Sequence, residues 1–351
     1  MIKNFHKIKS LGDFMVNPRR EIEIFGMFGA GNLGDEAMLV AARKEIGEYR
    51  CIPWRYSQNT LINKIILSTK HKNLFVVGGT LIHGGKTGWL DYVEHRFNQK
   101  VPVQFFGTGI AFSESQVLNR SDSFKRWSNI LSLSSNVWLR GMQSVEIAKE
   151  MGATAKVFGD FAFLLYDPKI PLSPLEARKD IVGLNFGECL GDQKDFEEKA
   201  ARIVASLRAK HKLVFHAVVR SDVPVIMRIA TSAGLSLNEA EIEKHYADPY
   251  AFMNSIRDYR AFLGLKLHAA GLAMIAGVPS LMIAYLPKAR DFMTPLGSRE
   301  DLIIDLPIDV DEVLAKLSLL LDKPAEGILI DSISKVHDHQ RMVLREAVLT
   351  S

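Results

Sequence analysis

Residues 21–28 read EIEIFGMF, and they are followed by GAGNLG at positions 29–34 and by a segment of helical period from Asp35 to about Ile46. The short apolar run predicts a buried strand, whereas the spacing of the longer segment predicts a helix. A strand, a glycine-rich turn and a helix in this order are typical of the first unit of a parallel α/β sheet.

The same alternation continues on both sides of a proline-rich stretch. Before it we predict strands at residues 73–77, 101–107, 136–139 and 155–158 and helices at residues 124–133 and 144–151. After it we predict strands at residues 180–186, 213–219, 261–265 and 280–284, helices at residues 196–210, 223–233, 249–256 and 268–276, and a last unit near residues 302–321. This pattern predicts an α/β protein with two doubly wound Rossmann-like domains that face a cleft.

The domain boundary is set by three prolines among residues 167–174, which disfavour a helix and suit an extended connection. We therefore divide the chain into five parts. These are a basic N-terminal segment (1–20), an N-terminal domain (21–166), a linker (167–179), a C-terminal domain (180–330) and a C-terminal helix (331–351).

The composition is that of an ordinary globular protein, with 351 residues, 47% hydrophobic and 24% charged positions. No run approaches the roughly 18 to 20 apolar residues that cross a bilayer, and we find no apolar core of a signal peptide. We therefore expect a cytoplasmic protein. Cys51 and Cys189 lie far apart, which argues against a disulfide framework or a Cys-x-x-Cys metal site, so both are expected to be inert core thiols.

The net charge of +4 is concentrated at the N-terminus, where residues 1–20 hold five lysines and arginines and one aspartate. The remaining chain is neutral, so nucleic acid is not an expected partner. Within residues 1–16, four apolar residues recur every three positions between lysines: Ile2, Phe5, Ile8 and Leu11. This spacing predicts either peripheral contact with an anionic membrane or a helix packed on its own domain.

The loop after the first strand contains a literal G-x-G-x-x-G, which would suit a dinucleotide. Two features disfavour that ligand. The region of the second strand offers Arg55 where an acidic residue would hold a ribose hydroxyl. Asp35 and Glu36 stand at the start of the helix, where they would repel a pyrophosphate. These carboxylates, with Asn32, either cap the helix or accept hydrogen bonds from sugar hydroxyls.

Four groups of motifs resemble the polysaccharide pyruvyl transferase family over roughly residues 21–295. The first is the G-N-x-G-D-E-A stretch from Gly31, and the second is the Gly-Gly strand end at residues 76–82. The third is R-x-x-x-S from Arg140 to Ser144 with the Gly-Asp turn at Asp160. The last is a series of Lys266-x-His268, G-x-P at residues 277–279 and Y-x-x-K ending at Lys288.

The resemblance implies a fold like that of GT-B glycosyltransferases and transfer of the pyruvyl group of phosphoenolpyruvate to two hydroxyls of one sugar as a cyclic ketal. The acceptor would be a nucleotide- or lipid-linked sugar of a cell-surface polysaccharide, and no metal or other cofactor is needed. The family has arginine where this chain has Lys266, which replaces a bidentate fork by a point charge.

Phosphoenolpyruvate carries a carboxylate and a phosphate, so we expect cations after strands of the C-terminal domain: Arg220, Lys266 and Lys288. The acceptor sugar is expected against residues of the N-terminal domain: Gly31, Asn32, Asp35, Glu36, Gly79 and Thr80. His268 begins an apolar helix, and we expect it to be the general acid that protonates the methylene carbon of the donor.

Other residues of the N-terminal domain are secondary candidates. Asp160 either caps a turn or faces the cleft, and Arg140 precedes a helix whose Ser144 is expected to be structural. Trp89 and Tyr92 either stack on a sugar or belong to the core.

Three other functions fit parts of the pattern. A nucleotide-sugar glycosyltransferase would use Arg220 and Lys266 to hold a diphosphate. A sugar-binding scaffold without turnover would fit the change at Lys266. A dehydrogenase would use the glycine loop for a nicotinamide cofactor.

Overall fold

Two six-stranded parallel sheets form the centres of the two halves of the chain. The structure is a computed structural model that describes residues 22–47, 51–55, 73–85 and 88–350. The predicted amphipathic segment in residues 1–16 lies outside the described residues, as do the side chains of Cys51 and Arg55.

The N-terminal sheet has the order β2-β1-β3-β5-β7-β8. Its strands are β1 (Ile22–Phe28), β2 (Cys51–Arg55), β3 (Asn73–Val77), β5 (Val103–Thr108), β7 (Val137–Leu139) and β8 (Lys156–Val157). Two short strands, β4 (Ile82–His83) and β6 (Ile110–Ala111), pair with each other outside this sheet. Its helices are α1 (Leu33–Ile46), α2 (Gly88–Asn98), α3 (Glu114–Leu118), α4 (Asp122–Ser132) and α5 (Met142–Glu150).

The C-terminal sheet has the order β11-β10-β9-β12-β13-β14. Its strands are β9 (Lys179–Asn185), β10 (Lys212–Ala217), β11 (Glu243–Lys244), β12 (Tyr259–Gly264), β13 (Ser280–Ala284) and β14 (Ile303–Asp305). Its helices are α6 (Gln193–Arg208), α7 (Asp222–Ser232), α8 (Pro249–Ile256), α9 (Leu267–Ile275), α10 (Lys288–Met293), α11 (Val310–Asp322) and the final helix α12 (Ile330–Leu349).

The predicted α/β class and the pair of Rossmann-like sheets are confirmed, and the predicted elements agree with the structure within three residues at each end. Helix α1 begins at Leu33 and not at Asp35, because the Asn32 side chain accepts a hydrogen bond from the Gly34 N–H and caps the helix there. The pattern did not predict β4, β6, β11, α2, α3 or α10, most of which are short. The predicted linker contains a 3₁₀ turn at Leu175–Ala177 before β9 begins.

Helix α9 shows how the sequence places the core. Its residues are apolar on every side, and all of them are buried except His268, which is partly exposed. Gly264 at the end of β12 allows this close approach, since a Cβ atom there would lie 2.9 Å from the Ala270 nitrogen. The helix therefore presents one polar side chain from an otherwise buried surface.

The two halves share a hydrophobic core and a short backbone contact. Helix α1 packs against α8, α9 and α12, which belong to the second half of the chain. The Leu33 N–H donates to the Val218 carbonyl at 3.0 Å, and Asn32 forms an antiparallel bridge with Val219. The carboxyl ends of the two sheets therefore meet where the glycine loop approaches the end of β10.

None of the helices in the described part of the chain has the length and apolar character to cross a membrane.

Candidate active site between the two sheets

The glycine loop uses its own polar groups. The Gly29 N–H donates to Glu36 Oε1 at 2.5 Å, and the Gly34 N–H donates to Asn32 Oδ1 at 3.0 Å. With the Leu33 N–H bound across the cleft, three amides that a pyrophosphate would need are already engaged. Asn32 and Glu36 therefore have structural partners here, as the capping interpretation predicts, while Gly31 has a positive φ of 75° and a partly exposed position in the turn.

His268 lies against the first turn of α1. A Cβ atom on Gly34 would lie only 1.9 Å from His268 Nδ1, so the imidazole occupies the space that any other residue would fill. The imidazole side chain is 16% exposed and crosses from the C-terminal half to the N-terminal half. Gly34 thus makes room for the His268 ring.

Asp160 lies on the other side of the imidazole and is fully buried. Its Oδ1 accepts a hydrogen bond from the Ala162 N–H at 3.0 Å and lies 3.3 Å from His268 Nε2. Its Oδ2 lies 3.5 Å from Arg140 Nε. Burial alone would raise the pKa of Asp160, but His268, Arg140 and the Ala162 N–H together hold it below its ordinary value.

This contact decides how the imidazole can act. An ionised carboxylate only accepts hydrogen bonds, so we infer that His268 Nε2 carries a hydrogen directed at Asp160. Nδ1 is then the nitrogen that faces Gly34. Asp160 therefore both caps its turn and faces the cleft, which were the two interpretations of this residue.

Arg140 is buried, with 1% of its surface exposed, and supports the Gly-Gly strand end. Its Nη2 donates to the Gly79 carbonyl and, at 3.0 Å, to Thr80 Oγ1. Gly109 leaves space for the guanidinium, since a Cβ atom there would lie 2.4 Å from Nη2. Gly79 and Thr80 are thus held in place by the same arginine that lies beside Asp160.

Asp35 and Lys288 complete this group of charges. Burial raises the pKa of Asp35 to about 6, while the nearby His268 and Lys288 charges oppose that rise. Burial and Arg140 lower the pKa of Lys288 to about 8, against the effect of Asp35 and Asp160. We call Asp35, Arg140, Asp160, His268 and Lys288 the interdomain cluster.

Lys266 contacts the loop after β9 and the start of α7. Its Nζ donates to the Glu188 carbonyl at 3.1 Å and lies 3.9 Å from Asp222 Oδ1. It also lies 5.4 Å from the centre of the Tyr285 ring, and Lys288 Nζ lies 5.1 Å from the same centre. Tyr285 therefore connects the interdomain cluster to the ends of the C-terminal strands.

Asp222 is the second buried carboxylate of the site. Its Oδ2 accepts hydrogen bonds from the Val218 and Val219 N–H groups and from Asn185 Nδ2, at 3.0 to 3.2 Å. Its Oδ1 is buried without a hydrogen-bond partner among the described residues. Burial raises the pKa of Asp222, although Lys266 and these donors oppose the rise. We call Asn185, Asp222 and Lys266 the strand-end cluster.

Arg220 lies two residues before Asp222 and has an exposed side chain after β10. Its charge acts on Tyr246, whose pKa is raised by burial against the effect of Lys244 and Arg220. Lys266 and Lys288 thus share Tyr285, and Lys288 also acts on Asp35, as His268 does, whereas the Arg220 side chain is exposed.

The other named side chains have structural surroundings. Tyr92 is buried and stacks on Phe25 at 5.1 Å, so it belongs to the core. Trp89 contacts the edge of His83. Ser144 is structural as predicted, since its hydroxyl donates to Asp291 of α10 across the interface and accepts from the Ile110 N–H.

Cys189 is partly buried in the loop after β9 and packs against the core, where burial raises the pKa of its thiol. Among the described residues, no three His, Cys, Asp or Glu side chains are arranged to hold a metal ion.

A pocket with a volume of about 380 Å³ opens beside the interdomain cluster. Its polar lining includes Thr80, Gln143 and Lys288, and its apolar lining includes Phe112 and Leu286. Such a mixture of a few polar groups and apolar walls is typical of small-molecule sites.

Sequence reasoning missed Asp222, Asn185 and Tyr285 as members of the site. Asn185 is the last residue of β9 and Tyr285 directly follows β13, so the rule that ligands bind at carboxyl ends of parallel strands would have found both. Asp222 opens α7 and resembles an ordinary helix-start carboxylate in sequence, which concealed its burial.

A sequence model of the polysaccharide pyruvyl transferase family matches residues 32–287. No curated protein matches the chain significantly. Several solved structures share the fold at low identity.

The S. aureus MnaA–UDP complex is 13% identical with a TM-score of 0.55, over 92% of this chain and 96% of that one. The UDP-GlcNAc 2-epimerase from Neisseria meningitidis bound to UDP-GlcNAc is 11% identical with a TM-score of 0.55, over 94% and 99%. The trehalose-6-phosphate synthase OtsA is 14% identical with a TM-score of 0.51, over 96% and 92%. At these identities the likeness shows a GT-B-like fold alone.

Proposed function

Because the chain belongs to the polysaccharide pyruvyl transferase family, we propose that it moves the pyruvyl group of phosphoenolpyruvate onto two hydroxyls of one sugar, forming a cyclic ketal and releasing phosphate. The observation that carries this proposal is the position of His268, held between buried Asp160 and Gly34 in the first turn of α1, with Lys288 acting on Asp35 and Asp160.

The reaction needs one proton delivered to carbon and two removed from oxygen. In our proposal His268 Nδ1 gives a proton to the methylene carbon of phosphoenolpyruvate, which becomes a methyl group and leaves an oxocarbenium-like centre at the neighbouring carbon. One sugar hydroxyl attacks that centre and loses its proton. The bond between that carbon and the phosphate oxygen then breaks, and phosphate leaves. The second hydroxyl attacks the same carbon, closes the ring and loses its proton to the departing phosphate.

The two lysines around Tyr285 suit the donor. Their ammonium groups are each little more than 5 Å from one ring centre, so they are at most about 10.5 Å apart. That separation allows one lysine to pair with the carboxylate and the other with the phosphate of a small dianionic molecule. Arg140 is already bonded to Gly79 and Thr80, so we assign it to the support of the site.

Asp35 suits the removal of a proton from the acceptor. Its pKa of about 6 makes it ionised at neutral pH yet basic enough to accept a proton from a polarised hydroxyl. In our proposal the sugar occupies the adjoining pocket beside Thr80 of the N-terminal half, and Lys288 of the C-terminal half lies between the sugar and the donor. We assign the acceptor to a nucleotide- or lipid-linked sugar of a cell-surface polysaccharide.

Incubation with phosphoenolpyruvate and a panel of nucleotide- and lipid-linked sugars tests the proposal. We expect phosphate release that requires an acceptor, together with a product that has gained one pyruvyl ketal by mass spectrometry. Release of a nucleoside diphosphate from a sugar nucleotide, without consumption of phosphoenolpyruvate, would instead support the glycosyltransferase alternative, which the fold shared with UDP-bound structures favours.

We also propose that the enzyme works in the cytoplasm, with residues 1–16 as a candidate contact to an anionic membrane surface. Cosedimentation with anionic vesicles, for the full chain and for a chain without these residues, tests that contact. Equal binding of the two chains would remove the segment from consideration.

A further inference from the structure

The final helix α12 reaches the turn that carries Asp160. Gln340 of this helix is fully buried, and its Nε2 donates to the Phe158 carbonyl at 3.0 Å and to the Asp160 carbonyl at 2.9 Å. This residue lies beyond position 287, where the match to the family model ends. A side chain about 180 positions away in the sequence therefore holds both ends of the turn at residues 158–160.

The orientation of the Gln340 amide follows from its partners. Two carbonyl oxygens can be bound only by the NH₂ end, so the oxygen end faces elsewhere. Gln340 Oε1 is buried without a hydrogen-bond partner among the described residues. A buried acceptor without a partner costs stability, so a packing role alone would be met more favourably by an apolar side chain of the same size.

The turn is pressed against α12. Gly159 has a φ of 94°, and a Cβ atom on it would lie 3.0 Å from both Gln340 Nε2 and Val336 Cγ1. Gln340 binds the carbonyl groups of the two residues that flank Gly159 in the sequence, Phe158 and Asp160. The position of the Asp160 backbone therefore depends on the Gln340 amide.

We propose that Gln340 is a positioning residue that sets the Asp160 carboxylate against His268. Gln340 fixes the Asp160 backbone, and the Asp160 Oδ1 lies 3.3 Å from His268 Nε2. Without the amide the turn relaxes and the carboxylate loses its distance and direction to the imidazole. This inference rests on the proposed catalytic role of His268 for its effect on turnover, but not for its effect on the imidazole itself.

The test follows the ring of His268 directly. The chain has ten histidines, and loss of one signal in His268→Asn identifies the ring in NMR spectra of the full chain. The charged groups that face the ring are Asp160 and Asp35, with Arg140 and Lys288 next to them. All except Asp160 stay unchanged in the variants compared.

In Asp160→Asn we expect the NMR signals of the His268 ring to move, because Nε2 then faces a neutral amide in place of a carboxylate. In Gln340→Met we expect a smaller change in the same direction, together with a loss of roughly tenfold in kcat and little change in KM for phosphoenolpyruvate. Gln340→Asn keeps an amide that is too short to reach both carbonyls and should move the ring signals in the same direction.

Arg341→Gln is the matched control. Arg341 is the next residue of α12, and its Nε pairs with Glu45 Oε2 of α1 at 2.8 Å, so the change weakens the same helix contact without touching the turn. We expect its His268 ring signals to coincide with those of the unaltered protein.

A folded Gln340→Met or Gln340→Asn protein with unmoved His268 ring signals would overturn the inference, as would an equal change in Arg341→Gln. If Gln340→Met does not fold, the Gln340→Asn protein decides. If the unaltered protein does not consume phosphoenolpyruvate, the proposed function fails while the NMR comparison still tests the role of Gln340.

Discussion

Asp160 and Asp222 lie at the carboxyl ends of different sheets, and both are completely buried. Each has one oxygen bound by backbone N–H groups and one oxygen without a hydrogen-bond partner among the described residues. Their pKa values nevertheless shift in opposite directions. The pKa of Asp160 is lowered and that of Asp222 is raised.

The difference comes from the cationic partners. Asp160 has His268 at 3.3 Å and Arg140 at 3.5 Å, and these outweigh the cost of burial. Asp222 has one ammonium group at 3.9 Å, which does not. Burial alone therefore does not decide whether a carboxylate is charged. The partners of Asp160 favour its anionic form, which suits it to orient an imidazole, whereas burial favours the protonated form of Asp222.

The largest effect is expected at the imidazole that separates the two regions. His268→Ala should lower turnover by roughly 10²- to 10⁴-fold, because the imidazole is the general acid of the proposed mechanism. Phosphate release from phosphoenolpyruvate measures this. His211→Ala, at an exposed pair with Asp180, is the control, and unchanged activity in His268→Ala would remove the histidine from the mechanism.

The next largest effect on kcat is expected when the space beside His268 Nδ1 is filled. In Gly34→Ala the added methyl would overlap the ring, so the imidazole must leave Asp160, and we expect a loss of roughly 10²-fold in kcat. Gly88→Ala adds the same methyl at the start of α2, where nothing lies within 4 Å. Equal activity of the two variants would show that the position of the ring does not matter.

Replacing the two carboxylates should affect the free energy of unfolding differently, with a loss of stability expected only at Asp160. Asp160→Asn is expected to lower the free energy of unfolding at pH 7 by about 1 to 3 kcal/mol, because it leaves Arg140 without its counter-charge. Asp222→Asn removes a charge that burial disfavours and should be neutral or stabilising by up to about 1 kcal/mol. Urea unfolding at pH 7 measures both.

The pH dependence of this pair follows from the same shifts. The pKa of Asp160 is depressed, so its stabilisation is present at neutral pH and is lost as the pH falls below the ordinary aspartate pKa of 3.8. The pKa of Asp222 is raised, so its cost is present at neutral pH and is relieved as the pH falls towards the unfolded value of 3.8. Destabilisation of equal size in both variants at pH 7 would contradict the comparison.

The smallest effect is expected in the pH profile. Lys288 has a pKa of about 8, so it loses its charge as the pH rises through that value, and KM for phosphoenolpyruvate should rise several-fold by about pH 9. Asp35 has a pKa of about 6, so kcat should fall below that pH as the base becomes protonated. Lys288→Arg should remove the alkaline limb and leave the acid limb. A KM that does not change between pH 7 and 9 would exclude Lys288 from donor binding.

Much of the fold was predictable because its signals are local. The apolar runs and helical periods between residues 73 and 321 predicted the main strands and helices. The elements that were missed, such as β4 and β6 with two residues each, are too short to show a period. The position of His268 on a buried helix was also readable, because every neighbour in α9 is apolar.

The candidate site was only partly predictable. Lys266 and Lys288 were expected to share one pocket with Arg220, but the structure brings only the lysines to Tyr285 and leaves Arg220 exposed. The motif around Arg140 was recognised, whereas its bonds to Gly79 and Thr80 were not.

Local patterns in the sequence predict which residues lie at strand ends and helix starts, since caps, turns and periodicity act over a few residues. Only the tertiary structure decided that Asp160 meets His268 from the other half of the chain and that Gln340 holds Asp160 in place. Those contacts depend on how α1, α9 and α12 bury their apolar surfaces together, and no local pattern records the distance between residues that a shared core brings into contact.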